Sequence, residues 1–178
     1  DWDFIINRAK INGLVVLNSD NEIKISEPKK DVSEPEQTIT NGESTLNFDA
    51  QIDSSSQLSS LQLDSWNSFT NASNQSQAVE PSLIANNILT GSEISATTSA
   101  ASININIPQT TEVSELKVIA DGILQSSRLN RIVGRATFKG VTNIDIGSVV
   151  ALYGFGRNFD GNIYITAVSH QIESGFFT

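Results

Sequence analysis

Residues 131–178 read RIVGRATFKGVTNIDIGSVVALYGFGRNFDGNIYITAVSHQIESGFFT. Three runs in this stretch predict strands. Ile132, Gly134, Ala136 and Phe138 alternate with Arg131, Val133, Arg135 and Thr137, the two-residue period of a half-buried strand. Val149 to Tyr153 is a short, nearly continuous apolar run. Ile163, Ile165 and Ala167 alternate with Tyr164, Thr166 and Val168. The last two runs flank Asn158-Phe159-Asp160-Gly161-Asn162, where Asp-Gly supplies the positive φ of a tight hairpin. These strands are therefore expected to pair antiparallel, and a curved or closed sheet is the natural way to bury all three.

Working back toward the N-terminus, Thr111 to Leu129 predicts the longest helix. Val113, Leu116, Ala120, Ile123 and Leu124 form its apolar stripe, Thr111 is the expected cap, and Glu112 and Glu115 sit in the first turn. Gly122 inside this helix points to a close packing contact, since glycine there costs about 1 kcal/mol relative to alanine. Ile103, Ile105 and Ile107 predict a strand ended by Pro108. Residues 67–102 read as a polar excursion, with a short helix at Pro81–Thr90 and loop or weak strand over Ser92–Ser102. Thr45 to Asp53 has a clear strand pattern, with Leu46, Phe48, Ala50 and Ile52 inward and Asn47, Asp49, Gln51 and Asp53 outward. After Ser54-Ser55-Ser56, Leu58 to Trp66 is its expected partner, anchored by Leu61, Leu63 and Trp66. Glu27 to Asn41, with Pro28 and Pro35, reads as a linker or an extended excursion. The chain opens with a helix over Asp1–Asn12 that places Trp2, Ile5, Ile6 and Ala9 on one face. Gly13 stops it, and a strand at Leu14–Leu17 returns through Asn18–Asn21 to Glu22–Ser26.

The ordered series Gly147, Val149-Val150-Ala151-Leu152, Gly154, Phe159, Gly161, Val168, His170 and Gly175-Phe176-Phe177-Thr178 resembles the end of the tube-forming part of hub proteins of contractile injection machines. That family includes phage late control protein D, the VgrG spike protein of type VI secretion and the hubs of extracellular injection particles. The opening Asp1-Trp2-Asp3-Phe4-Ile5-Ile6, Arg8, Ala9 and Gly13 is similar to its mid-chain helix. Phe48-Asp49-Ala50, Gln57-Leu58-Ser59-Ser60 and Ser65-Trp66-Asn67 match a further stretch. The chain departs from the pattern at Ile146, where the family has proline, and at Asn7, an extra residue. The likeness covers residues 1–66 and 113–178.

The resemblance implies an α+β, mainly β fold: a curved antiparallel sheet or β-barrel tube domain with a flanking helix, preceded by a small helix-plus-hairpin segment. It divides the chain into that segment, 1–45, and a second tube-type barrel, 46–178, with its helix near 112–129. It implies two barrels per complete chain and self-association as a trimer, so that three subunits make a pseudo-six-fold ring joining an inner tube protein to a spike domain and baseplate proteins. It also implies assembly in the bacterial cytoplasm, then a place in a secreted or extracellular particle. A chain beginning Asp1-Trp2 without methionine is expected to be processed or excised from something longer.

Composition bears on the alternatives. There is no cysteine, so neither a disulfide framework nor a cysteine-based metal site is expected. No run approaches about 18 apolar residues, and there is no signal-peptide pattern, so no membrane span is expected. Residues 1–127 carry 6 of the 11 basic and 17 of the 20 acidic residues, which argues against nucleic acid. The basic end suits an acidic partner surface or is plain solvated charge.

No catalytic, cofactor-binding or metal residue is expected. His170 is the single histidine, at the expected end of a strand, and no Gly-x-Ser-x-Gly occurs. Gly154-Phe155-Gly156 starts like a dinucleotide fingerprint but continues to Phe159. Gly156 to Gly161 lacks the lysine of a phosphate loop, and Asn18, Asp20 and Glu22 lack the later glycine and glutamate of a calcium loop. Asp49 and Asp53 read as one polar strand face. A hydrolase is disfavoured by this inventory. A carbohydrate- or ligand-binding β module is the main alternative, and it calls for aromatics on an exposed sheet face. Leu46, Phe48, Ile52, Trp66, Leu116, Ile123, Leu124, Val150, Leu152, Ile163 and Ile165 are expected to form one core. Segments 27–44 and 67–102 are expected to exchange amide hydrogens fastest.

Overall fold

The computed structural model describes residues 1–19, 22–29, 35–43, 45–82, 91–98, 101–139, 144–173 and 176–177. The fold is α+β and mainly β. Its described strands lie in five separate open sheets; of the two expected forms, curved sheet or closed barrel, no closed barrel is formed among the described residues.

Helix α1 (Trp2–Ile11) is followed by the antiparallel hairpin β1 (Val15–Ser19) and β2 (Glu22–Ser26), as the opening pattern predicts. Gly13 adopts φ +69°, and the Gly13 and Leu14 N–H groups bond back to the Lys10 and Ala9 carbonyls, closing the helix end. The expected buried face is a correction: of Trp2, Ile5, Ile6 and Ala9, only Ala9 is buried. The reason is where α1 is held. Its C-terminal end crosses α3 (Val113–Leu129) at Gly122, where an added Cβ would lie 2.6 Å from the Ile11 carbonyl and the Gly13 nitrogen. Gln125 of α3 also donates to the Gly13 carbonyl at 2.9 Å. Gly122 thus serves the close contact that its presence in a helix points to.

β4 (Thr45–Ile52) does not pair with the segment that follows it. Its partner is β8 (Ile132–Phe138), antiparallel, with Phe48 opposite Ala136 and Ile52 opposite Ile132. The intervening residues explain this correction. Asp53 accepts from both the N–H and the hydroxyl of Ser55, and its own N–H bonds to the Arg131 carbonyl. Gln57 is buried and donates to the Ser127 carbonyl at 2.6 Å. The chain is therefore drawn toward the end of α3 instead of turning back on β4. β5 (Ser60–Asn67) then pairs antiparallel with β6 (Ala72–Gln77) and parallel with β7 (Ser102–Ile107).

The polar excursion over 67–102 holds β6, and where loop or weak strand is expected over Ser92–Ser102 it holds α2 (Gly91–Thr97), with Ile94 buried. The predicted helix at Pro81–Thr90 falls almost wholly outside the described residues. The predicted linker likewise contains β3 (Gln37–Thr40), which runs parallel to β9 (Val149–Tyr153) and buries Ile39. β9 pairs antiparallel with β10 (Gly161–Tyr164), as the Asp-Gly signal predicts. The last described strands, β11 (Ile172–Glu173) and β12 (Phe176–Phe177), form a small ladder of their own.

The expected single core is two. Leu61 and Leu63 of β5 meet Leu116 and Ala120 of α3, with Ile123 packed beside them. Ile39, Ile144, Val150 and Leu152 form the second cluster, against which Phe48, Phe138, Ile163 and Ile165 pack. Leu46 and Trp66 belong to neither: they are 60% and 55% exposed, and Ile52 is exposed as well. Thr111 does not cap α3 through its side chain. Glu112 takes the cap position, and Thr111 donates its N–H to the Ser65 hydroxyl at 2.9 Å.

Candidate functional site

The two-residue period of β4 puts Asn47, Asp49 and Gln51 on one side, and that of β8 does the same for Val133, Arg135 and Thr137. The ladder register places these two sets directly opposite one another: Asn47 faces Thr137, Asp49 faces Arg135, and Gln51 faces Val133. The result is a polar ribbon with one cross-strand pair of opposite charge, an arrangement that favours this register. Asn47, Asp49, Gln51, Val133, Gly134 and Arg135 line an open hollow on this side. Gly134 is required by its neighbour, since an added Cβ would come 2.7 Å from the Ala50 Cβ.

The other side of the ribbon carries its anchor. The Phe48 ring lies 4.5 Å from Phe155, tilted, and 5.7 Å from Phe159, edge-on, the separations favoured by aromatic pairs. Both partners come from the β9–β10 connection, residues 154–160. Gly154 and Gly156 there have φ of +81° and +107°, and Gly161, which opens β10, has +130°. The Asp160 carboxylate accepts from the Phe155 N–H at 2.7 Å, and the Gly156 carbonyl accepts from the Phe159 and Asp160 N–H groups. The Gly-Phe-Gly run that begins like a nucleotide fingerprint is a loop that presents two phenylalanines to Phe48.

A second polar face was not legible in the sequence. In β5 the odd residues point to α3, so the even ones point outward. Gln62 stands between Gln77 of β6 and Asn104 of β7, and Asp64 between Gln75 and Asn106. Asp64 accepts from Gln62 at 2.9 Å and from Asn104 at 2.6 Å, one amide on each carboxylate oxygen. Trp66 continues the same column.

Arg128, in the last turn of α3, is buried. Its side chain is 2% exposed. It donates to both carboxylate oxygens of Glu80, at 2.7 and 2.9 Å, and to the Gln57 amide oxygen at 3.4 Å. Glu80 is positioned by the preceding residues: the Ala78 N–H bonds to the Leu61 carbonyl and the Val79 N–H to the Asp121 carboxylate. Gly91 of α2 packs so tightly here that an added Cβ would meet the Arg128 Cδ at 2.4 Å.

Of the residues weighed for chemistry, Asp49 lies on the polar ribbon, while Asp53 lies beyond the strand end. The two Ser55 donors hold the Asp53 carboxyl below the usual carboxylate range. Burial raises the Tyr164 phenol and lowers Arg131, which also feels Arg128. His170 is not at the end of a strand; it is exposed, in a stretch of irregular backbone between β10 and β11. Asp20 of the calcium-loop comparison lies outside the described residues. No three His, Asp or Glu side chains converge among the described residues, and no helix there is long and apolar enough to cross a membrane.

Comparison with known proteins adds three findings. The family model described as the Alg8 N-terminal domain matches residues 1–174. Its description differs from that of the hub family that the sequence resembles. The fold is shared with a solved structure, the 43 kDa tail protein of prophage MuSo2 from Shewanella oneidensis, at a TM-score of 0.64 and 10% identity. That match covers 99% of this chain and 50% of the tail protein, so the chain spans half its length. No curated protein matches the chain.

Proposed function

The chain belongs to the Alg8 N-terminal domain family, and we propose that it is a structural part of a tail-like contractile injection machine, in the hub that connects the inner tube to the spike. The observation that carries this reading is the fold shared with a prophage tail protein over nearly the whole chain. The resemblance of residues 1–66 and 113–178 to hub proteins supports it. So does the polar ribbon of Asn47, Asp49, Gln51, Arg135 and Thr137, which suits a sheet with one face toward a water-filled lumen. A one-sided polar face also occurs in any antiparallel sheet with a wet side; the shared fold favours the tube.

In this reading the role is mechanical and no reaction is catalysed. The complete protein forms a trimer in which each subunit supplies two neighbouring tube-type units, in contact with tube, spike and baseplate proteins. It assembles in the bacterial cytoplasm and leaves as part of a secreted or extracellular particle. Mass spectrometry of tail-like particles purified from the producing cells tests this. The expected result is peptides of this chain at a fixed copy number far below that of the tube protein. Particles complete with tube and spike that lack the chain would overturn it.

A further inference from the structure

The outward face of the β6-β5-β7 sheet is an unusual surface for an acidic chain. The three strands contain no lysine or arginine, and their outward positions hold serine, glutamine and asparagine, a single carboxylate, Asp64, and one aromatic, Trp66. Strands lie about 4.8 Å apart and same-side residues roughly 6.7 Å apart along a strand. The rows Gln77–Gln62–Asn104 and Gln75–Asp64–Asn106 therefore form a grid of amide groups, with the Trp66 ring at one end.

The chemistry of this grid narrows the ligand. Each side-chain amide offers both a donor and an acceptor, and so does each hydroxyl of a sugar. A nucleic acid needs cations on the surface, and there are none here. A protein interface needs an apolar centre larger than one tryptophan. The carboxylate that would repel anions is shared between the Gln62 and Asn104 amides, one on each oxygen, and each oxygen has further acceptor capacity. A planar, half-exposed indole beside such groups matches the apolar face of a pyranose ring. We propose that this face binds a neutral polysaccharide, with Trp66 stacking on one sugar ring while Asp64 and the flanking amides bond its hydroxyls. This site is on a different sheet from the ribbon and does not rest on the tail-component reading.

The test is heteronuclear NMR on the 178-residue chain titrated to millimolar concentration with three hexasaccharides: β-1,4-linked glucose, β-1,4-linked N-acetylglucosamine and α-1,4-linked glucose. At least one is expected to shift the Trp66 indole together with the Gln62 and Asn104 side-chain amides. Trp66→Ala is expected to weaken that binding about tenfold or more, and Asn104→Ala to weaken it less. Both positions are exposed, so the fold is retained. Trp2→Ala, on α1, is expected to leave the affinity unchanged. No shift on this face with any of the three sugars, or binding that persists in Trp66→Ala, would overturn the proposal.

Discussion

Phe48→Ala is expected to destabilise the protein by about 3 kcal/mol, near the lower end of what loss of a phenylalanine side chain costs. Phe48 is only half-buried, which keeps the figure from being higher. Its ring contacts two phenylalanines of the β9–β10 connection, so its loss also weakens the hold of the second core on the β4–β8 ribbon, leaving Phe138 of β8 in place. For a chain of this length the corresponding fall in melting temperature is roughly 6–12 °C. Leu46→Ala, two residues away on the same strand, is the control. Its side chain is largely exposed, and the change should stay within about 0.5 kcal/mol. Equal melting temperatures for Phe48→Ala and the parent would mean that the aromatic contact does not hold the ribbon.

Glu80→Ala is expected to cost a similar amount, about 3 kcal/mol, for a different reason. Among the described residues it leaves the buried Arg128 guanidinium with only the long contact to Gln57, and breaking a buried pair in this way typically costs ~3–5 kcal/mol. Glu80 is itself half-exposed, so the lower end of that range applies. Because the penalty comes from an uncompensated charge, Glu80→Ala combined with Arg128→Met should recover part of it. Urea unfolding of the two single variants and the double variant, compared at unchanged slope, measures this. If Glu80→Ala cost no more than the ~0.2–1 kcal/mol of an exposed ion pair, Arg128 would have to be solvated.

The elements that sequence periodicity located are those that carry their own apolar signal. α3 has an uninterrupted stripe, the opening helix ends at a glycine of positive φ, and β9–β10 is marked by Asp160-Gly161. β3 and β6 were not legible because QTIT and ASNQSQ contain almost no apolar residues; their pairing is imposed by β9 and β5. Partner choice was illegible for a related reason. The alternation of β4 says which side faces inward but is equally compatible with β5 or β8. What decides is the Asp53–Gln57 segment, whose hydrogen bonds run to Ser55, Arg131 and Ser127.

Trp66 shows how a large apolar residue misleads. Leu61 and Leu63 share one parity and Trp66 has the other, so a strand cannot bury all three. Parity alone placed Trp66 outward. The polar ribbon was half legible: the alternation puts Asn47, Asp49 and Gln51 on one side of their strand and Arg135 and Thr137 on one side of theirs, but does not show that they face one another across a single ladder. The second polar face was illegible, because it needs β6, which lacks a signal of its own. Arg128 could not be identified as buried from sequence, since its partner lies 48 residues away in a segment with no periodicity.

The hub reading makes one quantity decisive, the number of copies in the complete protein. On that reading, a single tube-type unit taken alone lacks half of the ring contacts it would make. The 178-residue chain alone is therefore expected to be monomeric or only weakly associated at micromolar concentration. The longer protein that the reading implies, with both tube-type units and its spike domain, is expected to be a stable trimer under the same conditions. Native mass measurement of the two, side by side, is the most direct test. A trimer for the complete protein beside a monomer for this chain is the expected result, and a complete protein that stays monomeric with its spike attached would contradict the hub assignment.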